Sequence, residues 1–561
     1  MDGRAGKLRS LRKLGCKRGH DDVEQQHLTN RVMRSIDPLT LKAMLGDGAE
    51  LALVDVREEL IFSQRHLLWA RSIPLSRLEL NFTRLVPRRA TRIVLCDDDD
   101  GLAGRAAKIL SAAAYTDIAC LAGGVNAWAD AGYELFSGVN VPSKAFGEYI
   151  EHECGTPSIS ADELHAMMRG GTDMVVLDSR PLDEFRRVSI PTATNVPGAE
   201  LVLRVHDLAP SAATTVVVNC AGRTRSIIGA QSLINAGIPN KVVALRNGTM
   251  GWSLAGLTCD SGKDKRTSAP SDQGLAAAKA AAERVAQRFG IERIDRATLE
   301  RWRSEANERT LYLLDVRDPQ DYAAGHVAGA ISAPGGQLVQ ATDQYVGTLG
   351  ARIVLIDDSE VRAVMTASWL KQMGLCDIVV MVERGTETKP PDFAILGTLA
   401  TAEKAIDCTA LATLLERGDA IVIDLAPSPQ YRKGHIPGAW FAIRSRLNEA
   451  LARIQLRDTL VLTSEDGVLA SLALADAAAL TTHDVRCLAG GTAAWQSAGQ
   501  PLSQEPHMAD EPIDVWLKPY ERGGDTRGAM SEYLSWEVDL IERIARDGTC
   551  RFAIAPKRSP A

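Results

Sequence analysis

One sequence pattern occurs four times along the chain, and this repetition constrains the fold more than any other feature. Each copy begins with a short apolar run that ends in the aspartate Asp55, Asp178, Asp315 or Asp424. A second apolar run follows, and its last residue lies 42 positions after that aspartate in three copies and 40 positions after it in the fourth. Continuous runs of β-branched residues and leucine are typical of strands buried on both faces of a parallel sheet.

A helical pattern follows each second strand, and a third strand then leads into a Gly-rich turn. The turn reads CLAGGVNAW, ALRNGTMGW and CLAGGTAAW in the first, second and fourth copies. In the second copy Gly248 precedes Trp252 by four residues, which is about one helical turn. The third copy keeps Gly385 but has Lys389 in place of the tryptophan. Alternating strands and helices predict the α/β class, with a parallel sheet flanked by helices in each copy.

The repeats divide the chain into four modules of ordinary domain size. We expect them at 33–140, 156–260, 292–390 and 402–505. Residues 1–32 are expected to form a disordered basic extension. Residues 261–291 are expected to form a linker and a helix, because a polar stretch there precedes a run rich in helix-favouring residues. We expect this segment to separate two tandem pairs of modules, and the tail 506–561 to dock on the last module.

The composition excludes several classes of protein. The chain has 561 residues and a net charge of −7, so nothing global favours a nucleic-acid partner. No apolar stretch reaches the roughly 20 residues that a membrane span needs. Its ten cysteines form neither a CxxC pair nor a Cys/His cluster. We therefore expect a cytoplasmic protein with reduced thiols, and no membrane contact, metal site or cofactor.

The sequence VVVNCAGRTRSIIGA places Cys220 at the end of a buried strand, directly before a helix. The residues after it must curl so that their backbone N–H groups converge on the sulfur, at the positive end of the helix dipole. Two arginines in the loop add positive charge, and all these effects favour the thiolate, which is the nucleophilic form. We predict that Cys220 is the catalytic residue. The predicted substrate-binding residues are Ala221, Gly222, Arg223, Thr224, Arg225 and Ser226.

The other three modules lack a nucleophile at this position. Cys220 aligns with Asp97, Asp357 and Ser464, of which none provides a thiolate nucleophile. Cys96 lies one residue too early, so strand alternation is expected to point it at the opposite face. The sequence therefore predicts one active module, the second, and three inactive ones.

Two further polar motifs recur, and neither is confined to the module that carries Cys220. Histidines His66, His326 and His435 occupy one turn in three modules, while the second module has Ser189 there. Because the active module lacks this histidine, we expect it to be structural. The pair Asp178 and Arg180 recurs in inactive modules too, so a supporting role is predicted for it.

These motifs resemble those of the rhodanese-like sulfurtransferase family. Its modules carry a D-x-R strand end, a G-H-I-x-G-A turn, a catalytic loop that opens with cysteine, and a G-G-x-x-x-W helix start. The resemblance covers nearly all of 33–505 and implies four tandem modules, each with a five-stranded parallel sheet. It also implies persulfide chemistry at Cys220, with Asp178 and Arg180 supporting the active loop. In tandem rhodaneses the catalytic site lies between modules and an inactive module precedes the active one, as modules one and two do here.

The expected activity is transfer of a sulfane sulfur through a Cys220 persulfide. The donor would be a small anion, namely thiosulfate, 3-mercaptopyruvate or a thiol persulfide, and the acceptor a thiol or cyanide. A protein acceptor and the oligomeric state are left open. One alternative is a non-catalytic scaffold, since three modules lack the nucleophile. Another is a cysteine phosphatase, although such enzymes have a C-x5-R loop and the spacing from Cys220 to Arg225 is the tighter C-x4-R.

Overall fold

A computed structural model describes residues 34–375 and 377–554, so the predicted extension 1–32 lies outside the described residues. Each repeat forms its own parallel sheet. The strands of the first two sheets are β1 Ser35–Ile36, β2 Ala52–Asp55, β3 Arg71–Ser72, β4 Arg92–Cys96, β5 Asp117–Leu121, β6 Ser158–Ile159, β7 Met174–Asp178, β8 Thr194–Asn195, β9 Thr215–Asn219 and β10 Val242–Leu245. Those of the last two are β11 Glu292–Arg293, β12 Leu311–Asp315, β13 Ile331–Ser332, β14 Arg352–Asp357, β15 Ile378–Val382, β16 Ala405–Ile406, β17 Ala420–Asp424, β18 Trp440–Phe441, β19 Thr459–Thr463, β20 Asp484–Leu488 and β21 His507–Met508.

The four sheets share one strand order. The first is β1-β5-β4-β2-β3, and the second and third repeat this order with their own strands. The apolar run before Cys220 is the central strand β9, and all five of its residues are buried between β7 and β10. Because the carboxyl ends of parallel strands meet at one edge of the sheet, the loop that begins at Cys220 lies at that edge.

Helices cover both faces of the sheets. In the first two modules they are Pro38–Gly46, Glu59–Gln64, Leu78–Leu85, Leu102–Ala112, Gly124–Asp130, Val141–Cys154, Ala161–Arg169, Leu182–Arg187, Leu201–Leu208, Thr224–Ala236 and Gly248–Leu254. After the linker come Asp272–Phe289, Arg296–Ser304, Pro319–Ala324, Gly335–Gln340, Val361–Gln372, Cys408–Arg417, Ser428–Lys433, Leu447–Arg453, Val468–Ala478, Gly491–Ser497 and Thr526–Asp547. Short 3-10 turns lie at Leu75–Arg77, Gly198–Glu200, Thr342–Gln344, Ala402–Lys404, Arg444–Arg446 and Pro519–Glu521. Within the described ranges, no helix combines the length and apolar character that crossing a membrane requires.

The second and third modules pack face to face, which differs from the predicted pairing of modules one with two and three with four. The linker helix Asp272–Phe289 packs against the helices Leu201–Leu208 and Val361–Gln372, and one apolar core runs through both modules. Arg362 of the third module donates to Glu200 of the second at 2.8 Å. The helix therefore joins two modules rather than separating two pairs.

The first and fourth modules face each other in the same manner. Arg444 forms a bidentate ion pair with Glu79, and Ser445 donates to Glu58 at 2.8 Å. The first module also contacts the third, since Tyr312 donates to the carbonyl of Leu85. The four modules therefore form one packed body with contacts between residues that are far apart in the sequence.

The third module differs from the other three after its last strand. Gly385 does not begin a helix there, and a Cβ on this residue would lie 1.9 Å from the carbonyl oxygen of His326. The chain after Gly385 instead pairs directly with the turn that contains His326, since His326 and Glu387 exchange two backbone hydrogen bonds. The predicted equivalence of Gly385 with Gly248 is therefore wrong, because the whole helical segment is absent from this module.

The tail docks on the last module, as predicted, and then continues to the first two modules. Residues His507–Met508 add a sixth strand, β21, to the fourth sheet. The chain then crosses to the first two modules, where the helix Thr526–Asp547 packs along the helix Val141–Cys154. This path brings the tail over the edge of the second sheet, where Cys220 lies.

The recurring histidines are parts of the core. His66 stacks on Phe62, and its Nδ1 and Nε2 lie 2.9 and 3.2 Å from the carbonyl oxygens of Leu67 and Gly138, to one of which the neutral ring donates. Burial lowers the pKa of His66 to about 4, so the ring is neutral near pH 7. In the second module Ser189 makes the equivalent backbone bridge, to Asp260. These contacts stabilise the turn, and none of the three histidines lines the cavity at Cys220.

Candidate active site

Cys220 lies at the base of a cavity of about 200 Å³. Its side chain follows β9 directly and is only 2% exposed, and the helix Thr224–Ala236 begins four residues later. The thiol Sγ lies 3.5 Å from the hydroxyl of Ser226, which in turn donates to the carbonyl of Arg223 at 2.8 Å. Among the cysteines that the structure describes, only Cys220 lines this cavity. The predicted loop residues Ala221 to Arg225 line it as well.

The Gly-rich turn holds the Cys220 loop in place. The backbone N–H of Thr249 donates to the carbonyl of Cys220 at 2.9 Å, and that of Met250 donates to the carbonyl of Ala221 at 3.0 Å. Gly248 allows this approach, because its φ is +53° and a Cβ on it would lie 2.2 Å from the Cys220 oxygen. The glycine of this motif therefore serves the loop, whereas the following Trp252 packs in the core and donates to the carbonyl of Thr258.

The first and third modules show what the equivalent loop position holds when it is not a cysteine. The carboxylates of Asp97 and Asp357, which align with Cys220, each accept hydrogen bonds from the backbone N–H groups of their own loops. The donors are Asp99 and Ala103 for Asp97, and Ser359 and Arg362 for Asp357, at 2.8–3.2 Å. Two modules thus place a negatively charged group among the loop amides. The geometry supports an anion at this point, and in the second module the group available there is the Cys220 sulfur.

The two loop arginines are engaged by carboxylates from other elements. Arg223 forms ion pairs with Glu148 and Glu151 of the helix Val141–Cys154. Arg225 pairs with Glu184 at 2.8 Å and also donates to the amide of Gln337 at 3.0 Å. The positive charge that the sequence places in this loop is therefore balanced by carboxylates.

Electrostatics tie Glu184 firmly to this loop. Burial opposes ionisation of this carboxyl, but the charges of Arg225, Lys518 and Arg180 outweigh it and hold its pKa well below the usual range. For Arg225, burial also opposes the charged form, yet Glu184 raises its pKa above the usual value. Both groups are ionised at neutral pH, so Arg225 is held by a lasting ion pair.

Asp178 and Arg180 lie behind the loop and not in the cavity. Arg180 donates to both oxygens of Asp178, at 2.9 and 2.7 Å, and to the carbonyl of Val188 at 2.6 Å. Asn219, the residue before the nucleophile, donates to Asp178 at 2.8 Å. The same pair recurs as Arg57 with Asp55. The pair thus ties two strand ends together and supports Cys220 through Asn219.

Cys96 has surroundings that differ from those of Cys220. It is fully buried within β4, and burial together with the charges of Asp55 and Asp97 raises the pKa of its thiol well above the usual range. A neutral buried thiol is a poor nucleophile.

Most of the cavity wall consists of residues that the sequence did not indicate. The third module contributes Gln337, Gln340, Ala341 and Gln344, and the helix Val141–Cys154 contributes Lys144. The tail closes the opposite side with Trp516, Lys518, Pro519, Tyr520 and Tyr533. The only sequence signal for these residues is the cluster of aromatic residues in the tail, and nothing in the sequence places that cluster beside Cys220. The wall thus comes mainly from outside the module that carries the nucleophile.

Comparison with known proteins agrees with the fold and the repeat. The model of the Rhodanese-like domain matches residues 37–131, 160–255, 296–388 and 407–498. A crystal structure of thiosulfate sulfurtransferase from Pseudomonas aeruginosa is 48% identical, with a TM-score of 0.89 over 93% of this chain and 100% of that one. The uncharacterized protein slr1261 of Synechocystis sp. is 36% identical over 108 residues, which cover 19% of this chain and 59% of that relative. The predicted α/β class and the four tandem modules are confirmed.

Proposed function

The chain belongs to the rhodanese-like family of sulfurtransferases, and on this premise we propose that Cys220 carries a sulfane sulfur as a persulfide between a donor and an acceptor. One observation carries the proposal. The loop position that holds a carboxylate in the first and third modules holds a thiol in the second, at the base of a cavity. The first, third and fourth modules are proposed to be inactive, because Asp97, Asp357 and Ser464 stand at that position.

The proposed reaction has two steps. The Cys220 thiolate attacks the transferable sulfur of the donor, and the bond between that sulfur and the rest of the donor breaks. This is an S–S bond in thiosulfate or a thiol persulfide and the C–S bond in 3-mercaptopyruvate. The leaving anion is sulfite, the thiolate or the enolate of pyruvate, respectively. The acceptor then attacks the terminal sulfur of the persulfide, and Cys220 leaves as the thiolate. Covalent catalysis of this kind gives ping-pong kinetics. The backbone N–H groups of the loop stabilise the negative sulfur in both steps.

Thiosulfate is the donor that we propose first, because the relative that is 48% identical is named a thiosulfate sulfurtransferase. The other proposed donors, 3-mercaptopyruvate and a thiol persulfide, also release an anion or carry one. We propose a reducing, cytoplasmic setting, in which a thiol or cyanide accepts the sulfur. Free thiols at Cys96, Cys120, Cys220, Cys259, Cys408, Cys487 and Cys550 support this setting.

Steady-state formation of thiocyanate from each donor and cyanide tests the proposal. Wild type is expected to show parallel lines in double-reciprocal plots, and Cys220→Ala is expected to lose activity. Cys96→Ala is the matched control, since this cysteine also ends a central strand, and it should retain activity. Activity retained by Cys220→Ala contradicts the proposal. Hydrolysis of an aryl phosphate without thiocyanate would favour a phosphatase, and no turnover of any substrate would favour a scaffold.

A further inference from the structure

Two loop arginines, Arg225 in the second module and Arg362 in the third, occupy equivalent positions. Each lies five residues after the first residue of its loop. Arg225 donates to the amide oxygen of Gln337 in the third module at 3.0 Å, and Arg362 donates to Glu200 in the second module at 2.8 Å. Gln337 and Glu200 are equivalent as well, since each lies 22 residues after the aspartate that ends the first long strand of its module. The two modules therefore make the same contact in both directions.

Glycines bring these partners within reach of each other. A helix of the third module begins directly against the turn Gly198–Glu200 of the second. A Cβ on Gly336 would lie 2.9 Å from the backbone nitrogen of Gly198. Side chains here would force the two backbones apart, so glycine is what allows the close approach. Gln337 follows directly and is thereby held beside Arg225.

The two arginines differ in the number of carboxylates around them. Four carboxylates lie within 3.1 Å of Arg362, namely those of Glu200, Asp321, Asp357 and Asp358. Within the described structure Arg225 meets one carboxylate, that of Glu184, at 2.8 Å. The positions of the two loop aspartates hold Cys220 and Ala221 in the second module. The position of Glu200 holds the neutral Gln337.

The balance of charge in the Cys220 loop is therefore uneven. Arg223 has two carboxylate partners, whereas Arg225 and Lys518 share one. The ionisable groups that face Arg225 come from the second module and the tail, and they are Arg180, Glu184, Cys220, Lys518 and Tyr520. Burial opposes the charged form of Arg225, but Glu184 and the Cys220 thiolate raise its pKa above the usual value. A negative charge on the Cys220 sulfur thus completes this group.

We propose that Gln337 is a positioning residue through which the third module sets the reactivity of Cys220. Its amide holds Arg225 at the loop without adding a negative charge, so the guanidinium stabilises the Cys220 thiolate. A glutamate at this position, as Glu200 is in the second module, would neutralise Arg225 instead. The inference deepens the proposed function and rests on it, because Cys220 is taken as the nucleophile. A module without a nucleophile thereby tunes the chemistry of its neighbour.

Alkylation of Cys220 by iodoacetamide tests this role, because the thiolate is the form that reacts. The rate is measured on the full chain at about pH 6 and about pH 10, by mass spectrometry of the peptide that contains Cys220. The test variant Gln337→Glu keeps an acceptor for Arg225 and adds a negative charge. One control, Gln320→Glu, adds the same charge at an exposed position of the third module outside the cavity. The other, Glu200→Gln, alters the equivalent contact across the same interface.

In Gln337→Glu the alkylation rate should fall about three- to tenfold at about pH 6, because the added charge neutralises Arg225 and disfavours the thiolate. At about pH 10, where cysteine thiols are ionised, the rate should stay within about twofold of wild type. Both controls should react like wild type at both pH values. The double variant Gln337→Glu, Glu184→Gln again leaves one carboxylate at Arg225 and should recover the wild-type rate. Should Gln337→Glu not fold, Gln337→Met is expected to slow alkylation about twofold or more at about pH 6 only, since it removes the hydrogen bond from Arg225.

Three results would overturn the role of Gln337. The first is an unchanged rate at about pH 6 in Gln337→Glu. The second is an equal fall at both pH values, which would reflect access to the cavity, and the third is the same fall in Glu200→Gln, which would reflect a weakened interface. Failure of the proposed function looks different, because wild type would then form no thiocyanate while alkylation of the variants still followed the expected pattern.

Discussion

Substituting alanine for Gly248 tests how the Cys220 loop is held. A Cβ at this position would lie 2.2 Å from the carbonyl oxygen of Cys220, and the residue has a φ of +53°. Gly124 provides a matched control in the first module, because its φ is +57° and its Cβ would lie 2.2 Å from the carbonyl oxygen of Asp97. The two substitutions thus cause the same local disturbance, one beside the proposed nucleophile Cys220 and one beside Asp97.

The expected loss of stability follows from two costs. A left-handed backbone costs a residue with a Cβ about 1–2 kcal/mol. Relieving the overlap with the carbonyl oxygen adds about 1–3 kcal/mol, as overpacking does elsewhere. Each variant is therefore expected to lose about 2–5 kcal/mol of the free energy of unfolding. Because the loop must move away from the added methyl group while it carries Cys220, a shift of about 1 Å at the sulfur can reduce the rate up to about 100-fold.

The assay compares Tm and the kcat/KM for thiosulfate in the two variants. Both Tm values should fall by similar amounts, while kcat/KM should fall at least about tenfold in Gly248→Ala and stay near wild type in Gly124→Ala. Equal loss of kcat/KM in both variants would refute the reasoning, since the loss would then reflect general instability. Unchanged activity in Gly248→Ala would refute it as well.

Three carboxyls give further predictions. Because the pKa of Glu184 is lowered in the folded chain, its ionised carboxylate stabilises the fold fully above the unfolded pKa of about 4.3. This stabilisation disappears as the pH falls through the lower folded pKa. The Tm of Glu184→Gln should therefore depend less on pH in the acid range than that of wild type. Burial raises the pKa of Glu58 to about 7, so protonation of this carboxyl favours the folded chain. This stabilisation is complete below the unfolded pKa of about 4.3 and is lost as the pH rises through 7. Between pH 5 and 8, the Tm of Glu58→Gln should therefore fall less than that of wild type. Glu537→Gln leaves the buried Lys144 without its carboxylate and should cost about 3 kcal/mol in urea unfolding, most of which a Lys144→Met, Glu537→Leu double variant should recover.

The modules and the position of Cys220 at a strand end before a helix could be predicted because local patterns encode them. A buried central strand such as β9 is an uninterrupted apolar run, and the loop that follows it is contiguous in sequence, so Cys220 and its neighbours could be placed together. Alignment of the four repeats also separated Cys220 from Cys96, which lies one position earlier and is buried within its strand. These features depend only on residues close to one another in the chain.

The pairing of modules and the cavity wall could not be predicted, because they depend on contacts between distant residues. Arg362 reaches Glu200 across the interface of the second and third modules, and Gln340 enters the wall from a different module. The net charge around the Cys220 loop could not be predicted either, because the local sequence contains Arg223 but does not show that Glu148 lies beside it and neutralises it. Nothing in the local sequence of either partner encodes these pairs.

Counting the sulfur held by the protein tests the central claim most directly. The protein is incubated with thiosulfate, freed of donor, and assayed for cyanide-releasable sulfur per chain, for wild type, Cys220→Ser and Cys96→Ser. The account predicts one equivalent in wild type and in Cys96→Ser and none in Cys220→Ser, because the other modules hold Asp97, Asp357 and Ser464 at the loop position. Sulfur retained by Cys220→Ser, or more than one equivalent in wild type, would contradict it.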